Sequence, residues 1–210
     1  MIRPLAVGDR LVLASHNKGK IAEFRDLLEP LGIGLVSAGE LGVEEPEETG
    51  DTFAANARLK ADATAKATGL PALADDSGIE IDALGGAPGI YSARWAGETR
   101  DFRAAMTRVE NELREKDALS PAPRANFVCV LCLATPSGKA EFYEGRVHGH
   151  LTFPPRGTQG FGYDPIFVPD GHSITFGEMA SAEKHRISHR AIAFEAFTKA
   201  RLPRIQQDHS

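Results

Sequence analysis

Several things are scarce or missing in this sequence, and each absence removes a class of protein. No apolar run approaches the roughly 18–20 residues a membrane helix needs, so no part of the chain is expected to span a membrane. The first residues, MIRPLAVGDRLVLAS, are broken by Pro4, Gly8, Asp9 and Arg10 and make no signal-peptide core. A cytoplasmic location is therefore expected. Basic residues are not in excess. The net charge is -5, which argues against a nucleic-acid partner, although a local lysine and arginine cluster can still hold phosphate. There are only 2 cysteines. Cys129 and Cys132 have C-x-x-C spacing, yet NFVCVLCLAT reads as a buried strand, on which residues three apart face opposite ways. Two buried thiols that act as small apolar side chains are expected there, not a redox pair or a zinc site. Internal repeats and low-complexity stretches are also missing.

What is present is an ordinary globular composition, 42% hydrophobic and 25% charged, over 210 residues. That length suits a single α/β domain spanning 1–210, with a lobe boundary expected near residues 118–125, where SPAPR interrupts the pattern. RLVLAS and IGLVSA read as strands around a helix whose Ile21, Phe24, Leu28 and Leu31 fall at helical spacing before Gly32. A second helix runs from a Thr52 cap to a Gly69 stop. PALA and GIEIDAL read as two strands on either side of an acidic pair. A third helix carries Phe102, Met106, Val109 and Leu113 on one stripe. NFVCVLCLATPSGKAEFYEGRVHG is a hairpin turning at Pro136, Ser137 and Gly138, and a last helix covers about 188–202, before Pro203. Strands and helices mix without strict alternation, so the fold expected is α/β, a mixed sheet flanked by helices.

Six stretches could carry chemistry. In ASHNKGK a strand gives way to a polar turn and a helix start, which presents backbone N–H groups to an anion; Asn17, Lys18 and Lys20 add donors and charge. A Walker loop is absent, and Ser15 and Asn17 also suit helix capping. Glu47, Glu48 and Asp51 lie in a loop before a helix, where acids also interact well with the helix dipole. Phe53, Asn56, Ala57, Lys60 and Thr64 share one helical face, so Asn56 and Lys60 should point inward and Lys60 should need an anion; Lys66 falls on another, solvated face. Asp75 and Asp76 sit side by side before Ser77 and Gly78, which permit a bend that aims both at one site; hard oxygen ligands of this kind suit Mg²⁺, and a plain turn suits them as well. In GTQGFGYDPIF, Phe161 and Tyr163 stand between glycines, where an aromatic ring could lie against a base or plug a loop. Lys184, His185, Arg186, His189 and Arg190 form a basic knot at a helix start, which calls for an anionic or carbonyl-bearing ligand or is a solvated face. The set as a whole describes a site for a magnesium nucleotide.

Five of these stretches, SHNKGK, EETGDTFAANARLKA, LADDSGIEIDALGGAPGIYSAR, FGYDPIF and EKHRISHR, resemble in content and order the signature segments of the inosine/xanthosine triphosphate pyrophosphatases. The resemblance runs from about residue 10 to residue 200. It implies an elongated mixed sheet in two lobes with a central active-site cleft, a homodimer, and Mg²⁺-dependent hydrolysis of ITP, dITP and XTP to the monophosphate and pyrophosphate. By the same resemblance Ser15, His16, Asn17, Lys18, Gly19 and Lys20 would hold the phosphates, joined by Lys60 and with Asn56 on the same side. Glu47 and Asp76 would bind metal, with Asp75 close by, and Asp76, or Asp75 beside it, would activate the water. Ser77, Phe161, Gly162, Tyr163, Asp164, Lys184, His189 and Arg190 would hold the nucleotide. The family usually has Glu where Ala55 stands. A related pyrophosphatase for modified pyrimidine or methylated guanine nucleotides, and a nucleotide-binding regulatory module without turnover, are the competing readings.

Overall fold

The computed structural model describes residues 2–202. Six strands form one mixed sheet in the order β2-β1-β3-β4-β5-β6: β1 (Arg10–Leu13), β2 (Gly34–Ser37), β3 (Ala72–Ile81), β4 (Arg124–Ala134), β5 (Ala140–Leu151) and β6 (Phe167–Pro169). β1 pairs in parallel with β2 and with β3, with Leu11 opposite Leu35 and Leu13 opposite Leu73, whereas β5 and β6 are antiparallel. The helices are α1 (Lys18–Leu28), α2 (Phe53–Thr68), a single turn α3 (Ser92–Trp95), α4 (Phe102–Glu115), α5 (Ser181–Ile187) and α6 (His189–Arg201).

The chain divides into two compact units. Among the described residues, the first takes 2–76, Val130–Tyr143 and 193–202; the second takes Ser77–Cys129 and Glu144–Ile192. Residues 118–125 lie inside the second unit, and the crossings fall within β3, β4, β5 and α6 instead of at SPAPR.

In the first unit Leu11, Val12 and Leu13 of β1 are fully buried, as are Phe24 and Leu28 of α1 and Ala57, Ala61 and Ala65 of α2. Alanine at those three positions gives α2 a thin inner face. Thr52 caps the helix, its hydroxyl accepting the Ala55 N–H at 3.1 Å, and Gly69 ends it at φ 68. Both ends are where the local chemistry predicted them. The strand order 2-1-3 reverses the direction of winding beside β1, so right-handed crossovers carry α1 and α2 to opposite faces of the sheet.

The second unit has its own core. Met106, Val109 and Leu113 of α4 pack with Ile79, Ile81, Phe127, Tyr163, Phe167 and Phe176. Asp101 caps α4 through the Ala104 N–H at 3.0 Å. In the first unit, the hairpin turn between β4 and β5 uses Gly138 at φ 81, with the Thr135 N–H bonded to the Lys139 carbonyl at 2.9 Å. Cys129 and Cys132 are both buried, and burial pushes the Cys132 thiol up to about 12.

One expectation about elements is corrected, and one short helix is added. β3 is one continuous strand of 10 residues, without a bend at Ser77 and Gly78. The final helix starts where expected, just after Ser188, whose backbone is extended at ψ 154 and whose hydroxyl accepts the Ala191 N–H at 3.1 Å; the short α5 that ends before Ser188 was not expected. A serine that caps a new helix competes with continuation of the old one. Pro203 lies outside the described residues.

Candidate active site

The first unit gathers the phosphate-loop residues, the acidic loop and the acidic pair. β1 ends at Leu13, and the chain passes through Ser15 into α1. Asn17 is the N-cap: its Oδ1 accepts the N–H groups of Gly19 at 2.9 Å and Lys20 at 3.3 Å, and its own N–H is donated to Ser15 Oγ at 3.1 Å. The turn is thus built by the helix end itself. His16 and Lys18 are exposed, and His16 Nδ1 lies 3.6 Å from Glu45.

Because β3 stays regular, Asp75 and Asp76 face opposite ways, and each meets a lysine from a different helix. Lys20 of α1 donates to Asp75, with Nζ 2.9 Å from Oδ1 and 2.8 Å from Oδ2. Lys60 of α2, only 4% exposed, reaches Asp76 Oδ1 at 3.3 Å and Glu48 Oε1 at 2.7 Å. Asp76 Oδ2 is buried and has no hydrogen-bond partner among the described residues. Burial pushes the Asp76 carboxyl up to about 6, against the pull of the Lys60 ammonium. Burial alone would lower Lys60, but the carboxylates of Asp76, Asp75 and Glu48 outweigh it and hold its ammonium above the ordinary lysine range.

Asn56 is fully buried beside this group, and its Oδ1 accepts the Gly50 N–H at 2.8 Å. That bond fastens the acidic loop to α2. Glu48 is the acid that the fastened loop turns toward Lys60; Glu47 is exposed. Their order in EETG holds no signal for this choice, because a loop has no side-chain period. Among the described residues no three carboxylate, imidazole or thiol groups converge as a ready cage for a metal. Glu48 and Asp76 nevertheless suit a hard cation that takes its remaining ligands from water and phosphate. They already share one cationic group, and one buried carboxylate oxygen is unused.

The second unit gathers the aromatic loop and the basic knot. Asp164 is buried, and its Oδ2 accepts the Phe161 N–H at 2.7 Å and the Lys184 ammonium at 2.5 Å. Burial raises the Asp164 carboxyl above the usual range, and Lys184 and the Phe161 N–H oppose that rise. Gly160 takes φ 72, and a Cβ there would lie 2.0 Å from Asp164 Oδ2, so no other residue fits. The loop turns Phe161 outward, 50% exposed, with the Lys184 ammonium 4.9 Å and the Arg190 guanidinium 5.8 Å from its ring centre. Gly162 follows at φ 68.

Tyr163 turns inward. It is 2% exposed, donates its hydroxyl to the Ser92 carbonyl at 2.9 Å and meets Phe102 edge-on. Ser92 also accepts the Ile79 N–H at 2.9 Å and donates to the Gly89 carbonyl at 2.6 Å. Ser92 thus ties β3 to the loop before α3, a role that no sequence pattern announced. Lys184, His189 and Arg190 are all buried; His185 and Arg186 are both exposed. The His189 ring stacks on Phe127 at 4.9 Å, and Arg190 reaches Ser77 Oγ at 3.5 Å. The buried half of the knot therefore sits against an acid, a hydroxyl and two aromatic rings.

The chain is similar to known proteins over most of its length. A family model described as "Ham1 family" matches residues 11–200. A protein of Rhodopseudomonas palustris named dITP/XTP pyrophosphatase is 60% identical over 193 residues, covering 88% of this chain and 92% of its own length. Among solved structures, a HAM1 protein from Coxiella burnetii superposes with a TM-score of 0.86 at 41% identity, covering 91% of this chain and 98% of its own. A nucleoside-triphosphatase / dITP/XTP pyrophosphatase from Mycobacterium abscessus does so with a TM-score of 0.75 at 41% identity, covering 90% and 98%.

Proposed function

The chain belongs to the Ham1 family, and from that premise we propose that it hydrolyses the non-standard purine nucleotides ITP, dITP and XTP to the monophosphate and pyrophosphate. The observation that carries the reading is the group formed by Asp76, Lys60 and Glu48. It supplies a buried carboxylate raised to about 6, with one oxygen unused, beside a buried ammonium. A group of that acidity can accept a proton from water near neutral pH and release it again.

Asp76 takes the proton as water adds to the α-phosphorus, and the bond to the pyrophosphate oxygen breaks. Lys20 and Lys60 offset the charge that gathers on the phosphates, and the α1 N-terminal turn from Ser15 to Lys20 orients them. Mg²⁺, held by Asp76 with Glu48 or Glu47, would supply further charge neutralisation and polarise the reacting phosphate. Phe161 offers a ring face to the purine. Lys184 and Arg190, which can only donate hydrogen bonds, together with His189 and the Ser77 hydroxyl, favour a 6-oxo over a 6-amino purine. A homodimer and a cytoplasmic location belong to the same reading. No helix among the described residues is long and apolar enough to cross a membrane.

The test is release of pyrophosphate from a panel of triphosphates with Mg²⁺ present and with EDTA. Strong release from ITP, dITP and XTP, weak release from GTP and almost none from ATP is expected, with all of it lost in EDTA and restored by Mg²⁺. Preference for modified pyrimidine or methylated guanine nucleotides, or binding without turnover, would overturn the reading. Full activity in EDTA would remove the metal from it.

A further inference from the structure

The Lys60 ammonium occupies an unusual place for a phosphate-binding lysine. Its side chain is 5% exposed and lies on the inner face of α2, which also buries Asn56, Ala57 and Thr64. It points at two carboxylates on segments far apart in the chain, Glu48 on the acidic loop and Asp76 on β3. The acidic loop is fastened in that position by the bond from the Gly50 N–H to Asn56. Lys20 differs. It is more exposed, at 19%, and pairs with Asp75.

We propose that Lys60 is the resident counter-cation of the metal site. It holds Glu48 and Asp76 in place while metal and substrate are away, and it yields them when the metal–triphosphate enters. This rests on the metal-assisted reading given above. Two carboxylates facing one point, Asp76 buried and Glu48 half-buried, repel each other unless a cation stands between them. An ammonium and a divalent ion cannot occupy that point together, so Lys60 and the metal compete for the same oxygens. Once displaced, the ammonium is a buried charge in need of an anion, and the triphosphate supplies one. Each ligand thereby removes the other's obstacle. Metal and triphosphate should bind cooperatively, and the bare metal should bind weakly. An idle enzyme of this design keeps its acids aligned without retaining metal.

The test uses the full chain and Mn²⁺ alone, read by titration calorimetry and by the Mn²⁺-induced shift in melting temperature. Lys60→Met removes the competitor. It should bind Mn²⁺ at least about tenfold more tightly than the wild type, and it should lose activity on ITP. Lys60→Arg keeps the charge and should keep weak Mn²⁺ binding. Lys66→Met, on the exposed face of α2, should match the wild type. If Lys60→Met is unfolded without metal, the inference requires Mn²⁺ to restore the fold. Unchanged or weaker Mn²⁺ binding by Lys60→Met, or a variant that Mn²⁺ does not rescue, overturns it. The two readings fail separately. A wild-type enzyme fully active in EDTA refutes the metal-assisted reading itself. A metal-dependent wild type whose Lys60→Met variant gains no affinity refutes only the counter-cation.

Discussion

Asp76 sits under opposing demands, burial against its charge and a lysine ammonium in favour of it. Its pKa, about 6, lies above the ordinary value of 3.8 because burial disfavours its charged form. The folded chain thus binds this proton more tightly than the unfolded chain does. The resulting stability is fully present below about pH 4 and is lost as the pH rises through about 6. Asp76→Asn has no charge to desolvate. In the metal-free state it should be more stable than the wild type at pH 7.5, by about 1–3 kcal/mol, and no more stable at pH 4. Thermal melts at the two pH values check this. The same variant should lose kcat by at least about a hundredfold, the scale of a missing general base. A near-normal rate would shift that role to Asp75. The acid limb of the wild-type kcat/KM profile should fall at or below about pH 6, since a bound cation lowers a carboxylate further. Arg190 poses a different question at the same scale. Unpaired buried donors cost about 1–3 kcal/mol each, enough to reject a 6-amino purine by powers of ten when two or three are involved. Arg190→Ala should therefore lose most of its activity on ITP and little on ATP, so the ratio between them collapses. A wild-type ratio would mean that Arg190 does not read the base.

At the scale of elements, short backbone segments place the reactive groups. The acidic loop is fastened to α2 by the bond from the Gly50 N–H to Asn56. A Cβ at Gly50 would lie 2.7 Å from Asn56 Oδ1 and 2.8 Å from the Ala55 Cβ, so the loop must move to admit it. Displacement of catalytic groups by about an ångström can cost on the order of a hundredfold. Gly50→Ala should accordingly cut kcat/KM for ITP by about ten- to a hundredfold while the far-ultraviolet circular dichroism stays that of the wild type. Unchanged kinetics would show that the loop does not set the position of Glu48. The family usually has Glu at the position of Ala55, and nothing in the structure explains the change.

At the scale of the whole molecule, a clasp within the first unit joins segments far apart in sequence. Arg201 near the end of α6 donates to the Ile2 carbonyl and the Tyr143 hydroxyl, each at 2.6 Å, and pairs with Glu141. Its own carbonyl accepts the Leu5 N–H at 2.7 Å. None of these partners belongs to the candidate site. Arg201→Ala removes the side-chain bonds and leaves Glu141 without its guanidinium, at a cost of about 2–4 kcal/mol. The melting temperature should drop by about 5–12 °C, with kcat on ITP at 25 °C unchanged. A loss of kcat without a loss of stability would mean that the clasp acts on the site.

The sequence by itself determined the parts governed by near neighbours. The α2 face with Asn56 and Lys60 inward, its Thr52 and Gly69 ends, the α4 stripe and the Gly138 turn all follow from helical period, capping and backbone freedom, which act over a few residues. The buried thiols and the need of Lys60 for an anion were legible for the same reason. Tertiary structure decided the rest. It kept β3 straight through Asp75 and Asp76, because a lysine arrives on each face and no bend is needed to relieve their charge. It chose Glu48 for Lys60, and turned Phe161 outward and Tyr163 inward. Each of those choices depends on a partner brought from elsewhere in the chain, Asn56 for the acidic loop and Ser92 for Tyr163, and no local pattern encodes where such a partner will be.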